Sequence, residues 1–205
     1  MPTPKILVAF YSTYGTSHGV AQAAAAAARA AGADVRLVRF AETAPQEVVD
    51  SQEGWKAQLE KMSGIPVITH DDMLWADGYF WTTPTRYGSV SSQVRAFIDT
   101  LGPLWMDGKL ANKTFTATTS AQNRHGGQET TLLGLYTSVM HWGAVIVAPG
   151  YTDASLFAAG GNPYGFSTVA GAFDDAGKAA VAHQARRLVE MTARVAAPAP
   201  EPVGA

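Results

Sequence analysis

The chain has 205 residues, of which 47% are apolar and 16% carry a charge. This length and composition exclude a largely disordered chain and predict a single folded domain at 1–195. The formal net charge of −2 argues against nucleic-acid or anionic-membrane ligands, and the lack of cysteine excludes disulfides, thiolate catalysis and cysteine-bound metals. No stretch predicts membrane insertion, so we expect a cytoplasmic protein, with a disordered tail at 196–205.

Alternating strand and helix patterns run along the chain. Short apolar runs predict strands at 6–11, 35–40, 78–82, 114–119 and 145–148. Helical periodicity predicts helices at 20–31, at 91–101 behind a capping serine pair, at 129–141 and at 181–195. Such alternation indicates right-handed βαβ units. The predicted fold class is α/β, a flavodoxin-like doubly wound five-stranded parallel sheet of order 2-1-3-4-5 that binds ligands at the carboxyl ends of its strands.

Two connections exceed what this fold needs. They are the segment 103–109 and the Gly-, Tyr- and Asn-rich stretch 150–171. Connections in such units commonly take two to six residues, and longer ones are usually functional or used in association. We therefore expect inserted loops with a role in binding or assembly.

The turn after the first predicted strand is rich in hydroxyl groups. It carries Ser12, Thr13, Thr16 and Ser17, directly before a helix. Hydroxyls and free helix N-terminal amides predict an anion site. The segment 6–28 contains no Lys or Arg and matches neither the Walker A nor the dinucleotide pattern, so a single terminal phosphate monoester fits best. The alternative is that Thr16 or Ser17 merely caps the helix, which needs only one hydroxyl.

The sequence disfavours two other kinds of active site at these strand ends, a hydrolase nucleophile elbow and a phosphoacceptor or metal site. The segment 15–19 matches the G-x-S-x-G nucleophile elbow, but that site needs an oxyanion-hole amide from a loop after an earlier strand, and only one strand precedes Ser17. A phosphoacceptor or metal site would need acidic residues after the first and third strands. The chain has Tyr11-Ser12 and Thr82-Thr83-Pro84 there, so no metal site is predicted.

Polar, glycine-containing segments also follow the third and fourth predicted strands, at 82–89 and 118–129. Both are expected at the sheet edge that carries the hydroxyl-rich turn. Their amides and carbonyls can surround a flat heteroaromatic ligand. Ordinary turn chemistry alternatively explains Pro84, Gly88 and the Gly126-Gly127 pair.

Six short motifs together resemble a known family. They are Ser12-Thr13-Tyr14-Gly15, Pro84-Thr85-Arg86-Tyr87-Gly88, Leu104-Trp105, Gly126-Gly127-Gln128-Glu129-Thr130, His141-Trp142-Gly143 and Gly161-Asn162-Pro163-Tyr164-Gly165. In this order they resemble the landmarks of WrbA-type flavodoxin-fold NAD(P)H:quinone oxidoreductases, over about residues 5–194. The chain departs from that family at 120–123, where S-A-Q-N stands in place of S-T-G-T.

The resemblance implies an FMN cofactor and NAD(P)H as co-substrate. The implied cofactor-binding residues are Ser12, Thr13, Tyr14, Gly15, Thr16, Ser17, Pro84, Thr85, Arg86, Tyr87, Ser120, Ala121, Gln122, Asn123 and His141. Tyr14 is implied to contact NAD(P)H and Trp105 to contact the quinone. The flavin itself carries the chemistry, with His141 as the candidate side chain beside it. A structural role for His141 and a subunit contact for Trp105 remain open alternatives.

The function expected from the resemblance is two-electron transfer from NAD(P)H to quinones through FMN. Both substrates would use one flavin face, which predicts a ping-pong mechanism. The family also implies a homotetramer in which neighbouring subunits complete each flavin pocket. The alternative is a flavodoxin-like FMN electron carrier, or an FMN-dependent binding protein, without its own quinone site. The low net charge and the added loops argue against that alternative.

Overall fold

Five parallel strands form the spine of the structure, a computed structural model that describes residues 3–196. They are β1 (Lys5–Phe10), β2 (Asp34–Arg39), β3 (Gly78–Arg86), β5 (Thr114–Ala121) and β6 (Val145–Ile146), and two short strands, β4 (Ser89–Val90) and β7 (Ser167–Val169), complete the sheet. The spatial order is β2-β1-β3-β5-β6, which confirms the predicted order 2-1-3-4-5 for the five main strands. The unpredicted additions are β4, antiparallel to β3, and β7, parallel to β5.

Helices cover both faces of this sheet. They are α1 (Thr16–Ala30), α2 (Gln46–Asp50), α3 (Glu53–Lys61), α4 (His70–Trp75), α5 (Ser92–Asp99), α6 (Gly102–Met106), α7 (Gln128–Met140), α8 (Ala154–Ala158) and α9 (Asp175–Val195). The four predicted helices correspond to α1, α5, α7 and α9. The predicted tail lies outside the described residues apart from Ala196, the C-cap of α9.

The alternation of side chains along each strand divides the core into two halves. On β1, Leu7 and Ala9 face one cluster, which includes Trp81 and Phe115 and is covered by α7. Ile6, Val8 and Phe10 face the other, which is covered by α1 and α9. Successive strand residues point to opposite faces, so a strand covered on both sides appears as a continuous apolar run.

Several predicted boundaries need correction. The third strand continues to Arg86, because Thr83 and Pro84 still pair with β5 although the apolar run ends at 82. The segment 103–109 is not simply a loop, since α6 occupies its first four residues, 103–106. Ser91 is the N-cap of α5 but makes no capping side-chain hydrogen bond, and its hydroxyl oxygen lies 3.2 Å from Thr83 Oγ1 on β3.

The long segment 150–171 is fixed onto the sheet by buried polar side chains. Gln184, fully buried on α9, donates to Thr116 Oγ1 at 2.7 Å and accepts from the Phe166 amide at 2.9 Å. The Tyr136 hydroxyl on α7 donates to the Tyr164 carbonyl. These bonds satisfy groups that would otherwise be buried unpaired, so they hold the insertion in one position.

Candidate active site

The hydroxyl-rich turn joins β1 to α1 and leaves the helix N-terminus open. Gly15 is the N-cap, with φ +103°, a left-handed conformation that glycine adopts without strain. Ser12 Oγ accepts from the Gly15 amide at 3.0 Å and closes the turn. No side chain caps α1, so neither Thr16 nor Ser17 has the simple capping role considered above. The first-turn amides of α1 therefore point outward without intrahelical partners, as an anion site requires.

Two hydroxyl groups in the first turn of α1 are free to donate a hydrogen bond to a ligand. Thr16 Oγ1 accepts from the Gly171 amide at 3.0 Å, which directs the Thr16 proton away from Gly171. Ser17 Oγ is buried and has no hydrogen-bond partner. A buried hydroxyl left unpaired costs about 1 to 3 kcal/mol, so such a group signals a ligand or an ordered water.

A single guanidinium approaches the turn from the neighbouring strand. Arg86 at the end of β3 donates from Nη2 to Thr13 Oγ1 at 2.8 Å. Beside it, Thr85 Oγ1 is bonded to Thr131 Oγ1, whose own proton goes to the Gly127 carbonyl at 2.8 Å. Thr85 must therefore donate in that bond, which leaves its lone pairs available to a ligand donor.

These groups enclose a cleft of about 400 Å³ at the carboxyl ends of β1, β3 and β5. Its lining includes eleven of the residues singled out by sequence: Ser12, Thr13, Tyr14, Thr16, Ser17, Pro84, Thr85, Arg86, Ser120, Ala121 and Gln122. A volume of this order is typical of small-molecule sites. An open helix N-terminus, an unpaired buried hydroxyl and one nearby cation fit a phosphate monoester attached to a flat ring.

Three of the residues singled out by sequence near this cleft are not part of its lining. Gly15 and Asn123 belong to the loops around it, and Tyr87 projects away from the body of the chain. Tyr87 and Gly88 form the two-residue turn of the β3–β4 hairpin. Tyr87 has φ +52° and is fully exposed. A bulky residue in the left-handed region is strained, and such strain is concentrated at functional positions.

Trp105 and His141 lie at the opposite end of the sheet. Helix α7 starts beside the carboxyl end of β5 and returns the chain to the amino end of β6, where Val145 pairs with Thr114. His141, the C-cap of α7, is therefore near the amino ends of the strands. Trp105, on α6, donates from Nε1 to the His141 carbonyl at 2.8 Å, so the pair stays together. Neither residue reaches the cleft of its own chain.

Three further residues line the cleft that sequence analysis did not single out. They are Gln52, Trp55 and Ala170. The Tyr14 hydroxyl donates to Gln52 Oε1, which links the turn after β1 to the start of α3. Ala170 belongs to the long segment 150–171, and the unusual length of that segment was the sequence feature that pointed to a role in binding. Gln52 and Trp55 lie between predicted elements, where no pattern distinguished them.

The nucleophile-elbow match at 15–19 does not form a hydrolytic site. Ser17 Oγ has no base as a hydrogen-bond partner. The adjacent His18 stacks on Phe10 with ring centroids 5.1 Å apart, and its Nδ1 is 3.0 Å from Gln58 Nε2. Burial, together with the positive charge of Lys61, lowers the pKa of His18. The imidazole is thus a buried neutral packing group beneath the turn.

Within residues 3–196, no group of three or more His, Cys, Asp and Glu side chains is arranged to hold a metal ion. A helix that is both long and apolar enough to span a bilayer is likewise not found in that range.

Comparison with known proteins identifies the family. Residues 5–156 match the family model described as NADPH-dependent FMN reductase. A protein named NAD(P)H dehydrogenase (quinone) from Deinococcus radiodurans is 54% identical over 93% of this chain and 96% of its own length. One of the same name from Geotalea uraniireducens is 38% identical over 94% of this chain and 99% of its own.

A solved structure agrees on the fold. The crystal structure of a flavodoxin, WrbA-like protein from Agrobacterium tumefaciens superimposes with a TM-score of 0.64, at 20% identity, over 94% of this chain and 99% of that one. At that identity the likeness establishes the architecture alone. The sequence matches go further and show that the chain belongs to the NADPH-dependent FMN reductase family and, within it, groups with the proteins named NAD(P)H dehydrogenase (quinone).

Proposed function

We propose that this chain is an FMN-dependent enzyme that transfers two electrons from NAD(P)H to quinones. The observation that carries the proposal is the buried, unpartnered Ser17 hydroxyl at the open N-terminus of α1, inside a cleft at the carboxyl ends of the strands. The names of the relatives support the substrates. Because NAD(P)H is a reductant of the cytoplasm, we expect the enzyme to act there.

The first turn of α1 would hold the phosphate of FMN. Ser17 Oγ and Thr16 Oγ1 can donate to phosphate oxygens, and the amides of the same turn add donors and the positive end of the helix dipole. Ser12 and the Gly171 amide are already engaged within the protein and keep the turn in shape. The phosphate thus finds donors whose positions are fixed before it binds, which reduces the entropic cost of binding.

The ends of β3 and β5 would hold the flat ring. Thr85, Arg86 and the segment 120–122 line that side of the cleft. The Arg86 guanidinium, which donates to Thr13, would provide positive charge to the negative charge that develops on a bound ring when it is reduced. Gln122 lines the cleft, so its side chain can add a contact, and Asn123 follows it in the same loop.

Bound FMN would supply the chemistry, by accepting a hydride from NAD(P)H and passing two electrons to a quinone. The chain's own contribution is to leave one side of the ring open. Tyr14, 64% exposed at the cleft, presents an aromatic face on which nicotinamide can stack. Because one opening serves both flat substrates, they bind in turn, which is a ping-pong mechanism.

We further propose a homotetramer in which Trp105 and His141 reach the cleft of a neighbouring subunit. Both lie far from their own cleft, and the surface around them exposes large apolar side chains, including Met106 and Met140 at 74% and 62%. The stacked pair Tyr151 and Phe157 is similarly exposed. Aromatic and methionine side chains in exposed clusters are typical of interface cores.

Half-reactions followed by absorbance test the proposed activity. The purified protein is loaded with FMN, made anaerobic and mixed with one equivalent of NADH or NADPH. We expect the visible flavin band to bleach, and added benzoquinone to restore it. Bleaching that benzoquinone does not reverse would favour an electron carrier without a quinone site, and no bleaching by either nucleotide would refute the proposed enzyme.

A further inference from the structure

Glu42, in the loop after β2, is the centre of a hydrogen-bond network behind the cleft. Its carboxylate accepts five hydrogen bonds, from the Thr43 and Ala44 amides, Gln93 Nε2, the Tyr11 hydroxyl and Trp55 Nε1, at 2.9, 3.0, 2.6, 2.9 and 3.0 Å. The residue is outside the cleft lining and outside every motif of the sequence. Holding one surface loop in place does not require a carboxylate that accepts five hydrogen bonds.

Two of these donors lead into the cleft. Trp55 lines it directly. Tyr11, 4% exposed, has its hydroxyl oxygen 3.5 Å from Thr13 Oγ1, which in turn accepts from Arg86 Nη2 at 2.8 Å. A chain of polar contacts therefore runs from the Glu42 carboxylate through Tyr11 and Thr13 to the guanidinium at the end of β3.

The network requires an ionised carboxylate. Burial acts to raise the pKa of Glu42, but hydrogen bonds from the Ala44 amide, Gln93, Tyr11 and Trp55 together hold it below its usual value. The amide and indole N–H groups can only donate. A glutamine at this position would turn its NH₂ group towards N–H donors in either orientation, so a side chain of nearly the same shape cannot replace glutamate.

We propose that Glu42 is a positioning residue for the flavin site, which fixes the Trp55 indole directly and the Arg86 guanidinium through Tyr11 and Thr13. The inference rests on the proposed function, because it assigns Glu42 to the binding of FMN. Gln93 provides the contrast, since it donates to the same carboxylate but belongs to α5 and does not line the cleft.

Titration of FMN into flavin-free protein tests this role with E42Q, Y11F, the double variant and Q93L. Unfolding midpoints and the visible spectrum of the flavin at saturating FMN are recorded in parallel. We expect E42Q to weaken FMN about tenfold or more and to alter the flavin band, and Y11F to weaken FMN several-fold. Their losses should not add, because Tyr11 acts through Glu42. Q93L should stay within twofold of wild type.

The other outcomes of the FMN titration contradict the proposed role. Three results would overturn the positioning role of Glu42 while leaving FMN binding intact. They are an FMN affinity of E42Q within twofold of wild type, additive losses of affinity from E42Q and Y11F, or a loss in Q93L equal to that in E42Q. Should E42Q fail to fold, Y11F compared with Q93L still decides, since only Y11F interrupts the path to Arg86. Wild-type protein that binds no FMN would overturn the proposed function and this inference with it.

Discussion

The indole Nε1 of Trp105 donates a 2.8 Å hydrogen bond to the carbonyl oxygen of His141, at the end of the sheet opposite the cleft. Two residues that the family resemblance assigns to the flavin site are thus held together, away from the cleft of their own chain. An arrangement of this kind is useful if a second copy brings its own pair to the cleft.

The first prediction concerns assembly. Sedimentation at micromolar concentration should give a particle of four 21.6 kDa chains. Met106→Glu, which places a charge beside Trp105, should shift the distribution to smaller species and reduce quinone reduction in step. Val48→Glu, a change at an exposed valine on α2, serves as the matched control. A fully active monomer of wild-type protein would contradict both the tetramer and the shared pocket.

The second prediction concerns the phosphate site. Changing Thr16 and Ser17 together to Ala should weaken FMN binding by about 1 to 3 kcal/mol, because two hydroxyl donors to a charged group are lost. Ser63→Ala, at an exposed serine after α3, should leave the affinity unchanged. Calorimetric titration of the flavin-free proteins measures the difference. An affinity within a factor of two of wild type would show that the phosphate binds elsewhere.

The third prediction concerns kinetic order. Initial rates measured over a grid of NAD(P)H and quinone concentrations should give parallel double-reciprocal lines, because both substrates enter through one opening and the first product leaves before the second substrate binds. Quinone at high concentration should also inhibit competitively against NAD(P)H. Lines that intersect would mean that both substrates are bound together, and the shared opening would have to be abandoned.

The fourth prediction concerns the contact between the two ring-binding loops. Gly127 has φ +86°, and a Cβ there would lie 2.7 Å from Gly88 Cα in the β3–β4 turn. Gly127→Ala should therefore lower the free energy of unfolding by about 2 to 3 kcal/mol through backbone strain and overpacking. Gly134→Ala, inside the helix that Gly127 caps and with open space around it, should raise the free energy of unfolding by about 0.5 to 1 kcal/mol. Equal effects in a urea titration would contradict the proposed tight contact.

Much of the architecture follows from local patterns. Strands covered on both faces leave continuous apolar runs, which is why β1 was identified and the order of the main strands followed. β5 is rich in threonine, a β-branched residue that favours strands, although it is buried along its whole length. The hydroxyls at the start of α1 identified the turn because their chemistry is local. Edge elements without a strong period, such as β4 and β7, depend on tertiary pairing and left no comparable signal.

The segment 41–77 shows what was not predicted. Its helices α2, α3 and α4 are short, and only α4 carries a clear start signal, the capping box formed by Thr69 and Asp72. Glu42 and Trp55 come from this segment, and their importance lies in contacts with Tyr11 and Gln93 that are distant in sequence. Long-range polar contacts of this kind have no periodic pattern in the sequence.

The location of Trp105 and His141 shows a related limit. The family resemblance implied that both lie beside the flavin, but the return of the chain through α7 takes His141 to the amino ends of the strands. A sequence motif records a shared function and does not say which copy of the chain supplies each residue.

Identification of the bound chromophore is the decisive test of FMN binding at the turn after β1. The purified protein, incubated with excess FMN and FAD together and then desalted, is denatured by heat, and the released flavin is separated by chromatography. We expect a yellow protein that releases FMN in about one equivalent per chain, because the turn after β1 offers donors for a single phosphate. Release of FAD, or a protein that stays colourless, would contradict it.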